Sequence, residues 1–131
     1  MKKLFLILTA VIAFGYELKE FVTCKKVVDL TPVEVTSKFD VNDSKVYAFA
    51  NFTNIEENKL VDFVWEKNVN GVWKMYADVQ LPIYAGARWR TFSSIKIQPF
   101  FVGKWRVSVV DNNQVIDSRE FEIVDTNSSK E

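Results

Sequence analysis

The 131-residue sequence contains no histidine, one cysteine, three prolines and four glycines. Without histidine, neither a Ser-His-Asp nor a Cys-His catalytic arrangement can form, and the commonest zinc ligand is missing. The single cysteine excludes an intrachain disulfide and a thiolate metal cluster. The few glycines do not form a phosphate-binding loop motif. These absences exclude the histidine-based catalytic triads and thiolate metal clusters, and they leave no nucleotide-binding motif in the sequence.

The sequence also lacks net charge, because 17 basic and 17 acidic residues balance at pH 7. A nucleic-acid-binding chain usually carries a basic excess, so we expect no nucleic-acid partner. The composition is 48% hydrophobic and 15% aromatic, which is too apolar for a disordered chain. Abundant aromatic residues favour strands, and the length fits one folded domain.

Long apolar runs are absent apart from a short one at the N-terminus. Two lysines precede segment 4–14, in which only Thr9 is polar. A helix that spans a bilayer needs about 20 residues, whereas a short apolar run between lysines and small residues is typical of a secretory signal peptide. We therefore predict a signal peptide over residues 1–15, cleaved at their end, and export to the periplasm or cell envelope of a bacterium. An uncleaved anchor or a core helix is the alternative; no other segment approaches a membrane span.

Cys24 could in principle carry a lipid, but its surroundings do not favour this. It lies about ten residues beyond the apolar segment, charged residues intervene, and Thr23 rather than a smaller residue precedes it. We expect a thiol packed on a strand instead.

The rest of the sequence alternates between apolar and polar residues with a period of two. Segment 59–67, KLVDFVWEK, shows this clearly. Tight turns are predicted at Asn70 and Gly71 and at residues 111–113, where asparagine and glycine adopt positive φ readily. Strands at a spacing of about ten residues are typical of an antiparallel sandwich or barrel. We predict an all-β, immunoglobulin-like antiparallel β-sandwich of seven to eight strands over residues 16–124, followed by a frayed polar tail at 125–131.

Stretch 87–111 places three arginines beside two tryptophans. Arg88 and Arg90 share one face of their predicted strand, and Trp89 takes the other. We therefore predict that Trp89 and Trp105 belong to the core, while the arginines lie on the outer surface.

Those outer arginines form the first candidate binding site. If the strand of Arg106 lies alongside theirs, the three guanidinium groups make a basic stripe suited to carboxylates or phosphates. The alternative is that they pair with outer acids such as Glu120 and Glu122, or stack over Phe92.

The second candidate site is aromatic and consists of Trp73, Tyr76 and Tyr84. Trp73 directly follows a predicted turn, so part of its ring is expected to be exposed. Aromatic rings of this kind stack on sugars or anchor protein interfaces. The alternative is that these rings only cover the edge of the sandwich.

Two acidic clusters are weaker candidates. Asp62, Glu66 and Asp78 lie on neighbouring predicted strands and could form a glycosidase pair, but acids on the outer face of a hairpin are usually solvated. The oxygen-bearing side chains of loop 40–43 could bind calcium, but the same residues are typical of a turn. We predict no enzyme activity, no cofactor and no metal site.

Five segments follow one another in an order that is informative as a set. They are VYAF at 46–49, VW at 64–65, RWRTFSS at 88–94, GKWRVSV at 103–109 and FEIV at 121–124. This order resembles the bacterial family known as domain of unknown function 2914, over residues 46–124. In that family a histidine often precedes the Val-Trp pair, whereas this chain has Phe63. The resemblance implies a small sandwich domain, often exported or attached to other modules, and implies no activity.

The predicted function is a non-catalytic protein-interaction module of the cell envelope that docks through an edge strand or the aromatic hairpin. The alternative is a carbohydrate-binding module that uses Trp73, Tyr76 and Tyr84. The expected partner is accordingly a protein or a glycan of the envelope.

Overall fold

The computed structural model describes residues 14–127, which form nine strands and one short 3-10 helix. The strands are β1 (Glu17–Val28), β2 (Thr31–Val35), β3 (Lys38–Asp40), β4 (Lys45–Ile55), β5 (Lys59–Val69), β6 (Val72–Ile83), β7 (Gly86–Lys96), β8 (Gly103–Asp111) and β9 (Gln114–Val124). The 3-10 helix spans Pro99–Phe101, between β7 and β8. The predicted all-β, immunoglobulin-like sandwich is confirmed.

The strands form two sheets. The first sheet has the order β2-β1-β4-β7, and the second has the order β3-β9-β8-β5-β6. All neighbours are antiparallel except β3 and β9, which run parallel. The consecutive strands β6 and β7 therefore belong to different sheets, and each lies at an edge.

The N-terminal region contains more strands than predicted. Asp29 and Leu30 both have positive φ, and they turn the chain between β1 and β2. Pro32 lies inside β2. A proline is tolerated there because β2 is an edge strand, where the missing N–H need not face a neighbour.

The core lies between the two sheets and is built mainly from aromatic and branched side chains. Trp65 is fully buried, and its Nε1 donates to Ser93 Oγ at 3.1 Å, which links β5 of the second sheet to β7 of the first. Trp105 is also buried, as predicted. Trp89 is only half-buried, contrary to the prediction, because it packs at the margin of the core against the exposed Tyr84.

Both predicted hairpin turns are present. Asn70 and Gly71 connect β5 to β6 with φ of 55° and 85°, and Asn112 and Asn113 connect β8 to β9 with φ of 52° and 66°. Asparagine and glycine occupy this left-handed region at low cost, so the residue types at these positions account for the two turns.

Most of the predicted signal peptide, residues 1–13, lies outside the described residues. Phe14 packs against the core, and the Gly15 carbonyl accepts a hydrogen bond from the Glu56 N–H at 3.0 Å. Both residues therefore contact the sandwich, although the prediction assigned them to the signal peptide. No helix within residues 14–127 is long and apolar enough to cross a membrane.

The loop after β3 is a turn that also holds the end of the chain. Asp40 Oδ2 accepts from the Asn42 N–H at 2.8 Å, and Asp40 Oδ1 accepts from the N–H and hydroxyl of Thr126 at 2.9 and 2.7 Å. Asp43 Oδ2 accepts from the Asp40 N–H. The turn interpretation thus accounts for these oxygens. The prediction of a frayed tail is wrong for Thr126, and residues 128–131 lie outside the described part.

The hydrogen bonds from Thr126 and Asn42 lower the pKa of Asp40 to about 2. Because this folded-state pKa lies below the usual value of about 3.9, the stabilisation is complete above about pH 4 and is lost as the pH falls toward 2. We expect the difference in unfolding free energy between the wild type and Asp40→Asn to shrink over that range. Urea unfolding followed by circular dichroism at several pH values measures it; a difference that stays constant contradicts the assignment.

Candidate functional site

The six predicted site residues lie in three separate places. Trp73 and Arg106 come together on the outer face of the second sheet, with Tyr76 at the margin nearby. Tyr84 lies beyond the far end of β6. Arg88 and Arg90 lie on β7, in the other sheet.

The outer face of the second sheet carries a compact contact between an arginine, an acid and a tryptophan. The Arg106 guanidinium lies 4.4 Å from the centre of the Trp73 ring, and Arg106 Nε donates to Glu66 Oε1 at 2.6 Å. Glu66 is the register partner of Arg106 on β5, so strand pairing itself aligns them. Arg106 therefore pairs with an outer acid, as in the alternative to a binding site, but the acid is Glu66 and not Glu120 or Glu122.

Tyr76 lies where β6 has an irregularity. The pairing between β5 and β6 shifts at Trp65 and Glu66, which leaves Tyr76 as the extra residue of β6. Its ring packs edge-on against Phe101 at 5.0 Å and against Trp105 at 5.5 Å, yet Tyr76 remains 49% exposed.

The 3-10 helix completes this aromatic surface. Phe101 is buried against Trp105, with ring centres 4.9 Å apart, whereas Phe100 packs on Phe101 and is 76% exposed. We call Tyr76, Phe100, Phe101 and Trp105 the aromatic margin. The sequence analysis missed Phe100, although two consecutive phenylalanines after a proline indicate that one ring points outward when the other is buried.

The three aromatic candidates do not form one sugar-binding platform. One face of Trp73 is covered by Arg106, so it is not free for stacking. Trp73 and Tyr84 are about eleven positions apart, or roughly 35 Å along an extended chain. Tyr84 packs edge-on against Trp89 at 4.7 Å. The carbohydrate alternative, as predicted with Trp73, Tyr76 and Tyr84 acting together, is therefore not supported.

The strand of Arg106 does not lie alongside that of Arg88 and Arg90, so the condition for a basic stripe of three arginines is not met. Arg88 and Arg90 pair in register with Thr53 and Asn51 of the first sheet, whereas Arg106 belongs to the second. The acids Glu120 and Glu122 are on the second sheet too, so they are not partners of these two arginines. Within residues 14–127, the guanidinium groups of Arg88 and Arg90 make no hydrogen bond or ion pair. Phe92 packs against Tyr47, with ring centres 5.7 Å apart.

The remaining candidates have structural explanations. Asp62, Glu66 and Asp78 lie on the central part of the β5–β6 hairpin, where Glu66 is used by Arg106. Cys24 is fully buried on β1, as predicted, and burial raises the pKa of its thiol. Among residues 14–127, no three acidic or cysteine side chains are grouped to hold a metal ion.

A family model described as protein of unknown function (DUF2914) matches residues 58–123, which is just over half of the chain. The chain belongs to the DUF2914 family. The match begins just before β5 and ends in β9, so it contains the three strands that carry Glu66, Trp73 and Arg106. The resemblance noted from the sequence motifs is thereby confirmed. No curated protein sequence matches the chain significantly.

Solved structures share the fold of this DUF2914 domain. An immunoglobulin-like protein from Pseudomonas aeruginosa is 10% identical, with a TM-score of 0.54, and the match covers 82% of this chain and 95% of that one. A β-glucosidase from Listeria innocua, in complex with isofagomine, is 9% identical, with a TM-score of 0.52 and 83% of this chain covered. This chain spans only 16% of that enzyme. At these identities the likeness shows the fold alone.

Proposed function

We propose that this DUF2914 domain is a non-catalytic protein-interaction module that is exported to the cell envelope and binds a partner protein through the aromatic margin. The observation that carries the proposal is the continuous series of ring contacts from the exposed Phe100, through Phe101 and Trp105, to the buried Phe121. Phe100 is thus an exposed aromatic group supported by the core.

Rings of this kind suit protein recognition. An aromatic side chain that is already packed loses little conformational freedom on binding, so most of the apolar area that it buries contributes to affinity. The neighbouring Trp73 and Arg106 are of the residue types enriched at the centres of interfaces. A sugar ring would stack on an open face of an aromatic ring, whereas the Arg106 guanidinium covers one face of the Trp73 ring. Export is supported by the lysines and the short apolar segment at the N-terminus.

Site-specific photo-crosslinking in intact cells tests this function. A benzoylphenylalanine residue introduced at position 100 is expected to capture one defined protein, and fractionation shows in which compartment the adduct forms. The matched control is position 115, because Val115 is also an exposed apolar residue, at 63% exposure, but lies at the other end of β8 and β9. Added wild-type protein is expected to compete with the crosslinking protein for that partner. The Phe100→Ser variant is expected not to compete, while keeping the melting temperature of the wild type.

Three outcomes contradict the proposal. They are the same protein captured equally at positions 100 and 115, no protein captured at position 100, and an adduct that forms only in the cytoplasmic fraction. The first two reject the aromatic margin as the contact surface, and the third rejects export.

A further inference from the structure

The free edge of β7 is the longest regular strand edge that the first sheet offers. β7 pairs with β4 from Gly86 to Lys96 without a register shift, and among residues 14–127 no other strand pairs with it. Along an edge strand, alternate residues turn their N–H and C=O groups away from the only neighbour. β7 therefore presents an unbroken row of backbone groups to an incoming strand.

The other edge strand on this side, β6, is protected by its backbone, whereas β7 is not. β6 carries the irregularity at Tyr76 and the proline at position 82, both of which obstruct strand addition. β7 contains no proline and no bulge. Its protection consists only of charge.

That charge has one sign. Arg88, Arg90 and Lys96 all lie on the outward face of β7, and the strand contains no acidic residue. None of the three side chains forms a hydrogen bond or an ion pair with residues 14–127. Between them on the same face lies Phe92, which is partly exposed. The outward face thus reads, along the chain, as two cations, an aromatic ring, a serine and a third cation.

We propose that an extended, acidic peptide segment adds to the free edge of β7 as an antiparallel strand. Its backbone would pair with the unpaired groups of β7, and its carboxylates would face Arg88 and Arg90, with an apolar side chain opposite Phe92. Arginine suits this role because its planar fork can hold a carboxylate by two hydrogen bonds. This surface is separate from the aromatic margin, so the two proposals can fail independently.

A second copy of the chain fits the same edge less well. Antiparallel pairing of two β7 strands in the register centred on Phe92 would place Arg88 opposite Lys96, and like charges that face each other across strands are destabilising. No register of two copies places an acid opposite a cation, because β7 contains no acidic residue. Charge complementarity therefore favours the acidic peptide.

The test uses the full chain and a fluorescent peptide of about nine residues. From the N-terminus, the residues at its outward-facing positions are Glu, Ser, Val, Glu and Glu, and a threonine stands between each pair. In antiparallel register its glutamates then lie opposite the cations of β7. We expect binding in fluorescence anisotropy, together with slower hydrogen exchange of β7 amides. Arg88→Glu/Arg90→Glu is expected to weaken binding by roughly tenfold or more. The charge-matched control is Lys38→Glu/Lys104→Glu on the second sheet, which is expected to bind normally.

Other results overturn the proposal in identifiable ways. Equal weakening by both double variants indicates only a response to net charge. Unchanged binding by a peptide with N-methylated backbone amides indicates a charge contact without strand addition. A peptide that does not bind, or a chain that dimerises through β7 and excludes it, rejects the acidic peptide as the occupant. The arginine variant should keep its melting temperature, because neither arginine forms an ion pair with a charged group of residues 14–127.

Discussion

Replacing Trp105 by alanine is expected to lower the free energy of unfolding by about 3–5 kcal/mol, as large-to-small aromatic substitutions in cores do. Trp105 is 1% exposed and packs against the rings of Phe101, Tyr76 and Phe121. Its Nε1 also donates to the Phe101 carbonyl at 2.7 Å. The substitution therefore leaves both a cavity and a buried carbonyl without its donor. Denaturant unfolding followed by far-ultraviolet circular dichroism measures the loss.

Trp73→Ala is the matched control, because it removes the same side chain from the outer face of the same sheet. Trp73 is half-buried and contacts the Arg106 guanidinium, so the expected loss is about 1 kcal/mol. If Trp105→Ala costs less than about 1 kcal/mol, or no more than Trp73→Ala, then Trp105 does not anchor the aromatic margin. Because Phe100 reaches the core through Phe101 and Trp105, that result would also weaken the proposed binding surface.

The difference in burial between these two tryptophans was partly predictable from the sequence. Successive residues of a strand face opposite sides, so alternation within β8 places Trp105 inside and Arg106 outside without reference to any other strand. The hairpin turns were predictable for a similar reason, since positive φ at Asn70 or Asn112 is a local property. Local alternation and local turn chemistry thus predicted the fold class.

The grouping of side chains from different strands was not predictable in the same way. The alternation of residues along β8 predicts on which face of its own strand Arg106 lies, but it does not predict which strands are neighbours. The chain crosses from the second sheet to the first between β6 and β7, and this crossing separates Arg88 and Arg90 from Arg106. One error could have been avoided: Trp73 and Tyr76 are separated by an odd number of positions, which already places them on opposite faces of a regular strand.

A buried polar centre near the N-terminus was not predictable from the sequence for the same reason. The Tyr16 hydroxyl donates to Asp111 Oδ2 at 2.8 Å, and Lys59 Nζ lies 2.8 Å from the same oxygen. The three residues come from the chain before β1, the start of β5 and the end of β8. No spacing rule connects positions so distant in the sequence, and only the completed sandwich brings them together.

Asp111→Ala is expected to lower the free energy of unfolding by about 3 kcal/mol, because removing one partner of a buried ion pair leaves the other uncompensated. The Asp111 side chain is 5% exposed and that of Lys59 is 25% exposed, so Lys59 can regain some solvation and the loss should lie at the lower end for such pairs. Burial, followed by the hydrogen bond to Asp111, raises the pKa of Tyr16. In this variant the buried Tyr16 hydroxyl would also lose its acceptor.

The matched control is Asp117→Ala, which removes the same carboxylate from the exposed pair with Arg119. Its side chains are 38% and 44% exposed, and a surface pair of this kind contributes about 0–1 kcal/mol. Urea unfolding of both variants at pH 7 gives the comparison, and equal losses of unfolding free energy would contradict the buried centre.

Because Lys59 Nζ also donates to the Phe14 carbonyl, Asp111→Ala should in addition speed hydrogen exchange at Gly15 and Tyr16. Loss of stability without this local change would mean that Asp111 supports the end of β8 alone and does not hold the N-terminal segment against the sandwich.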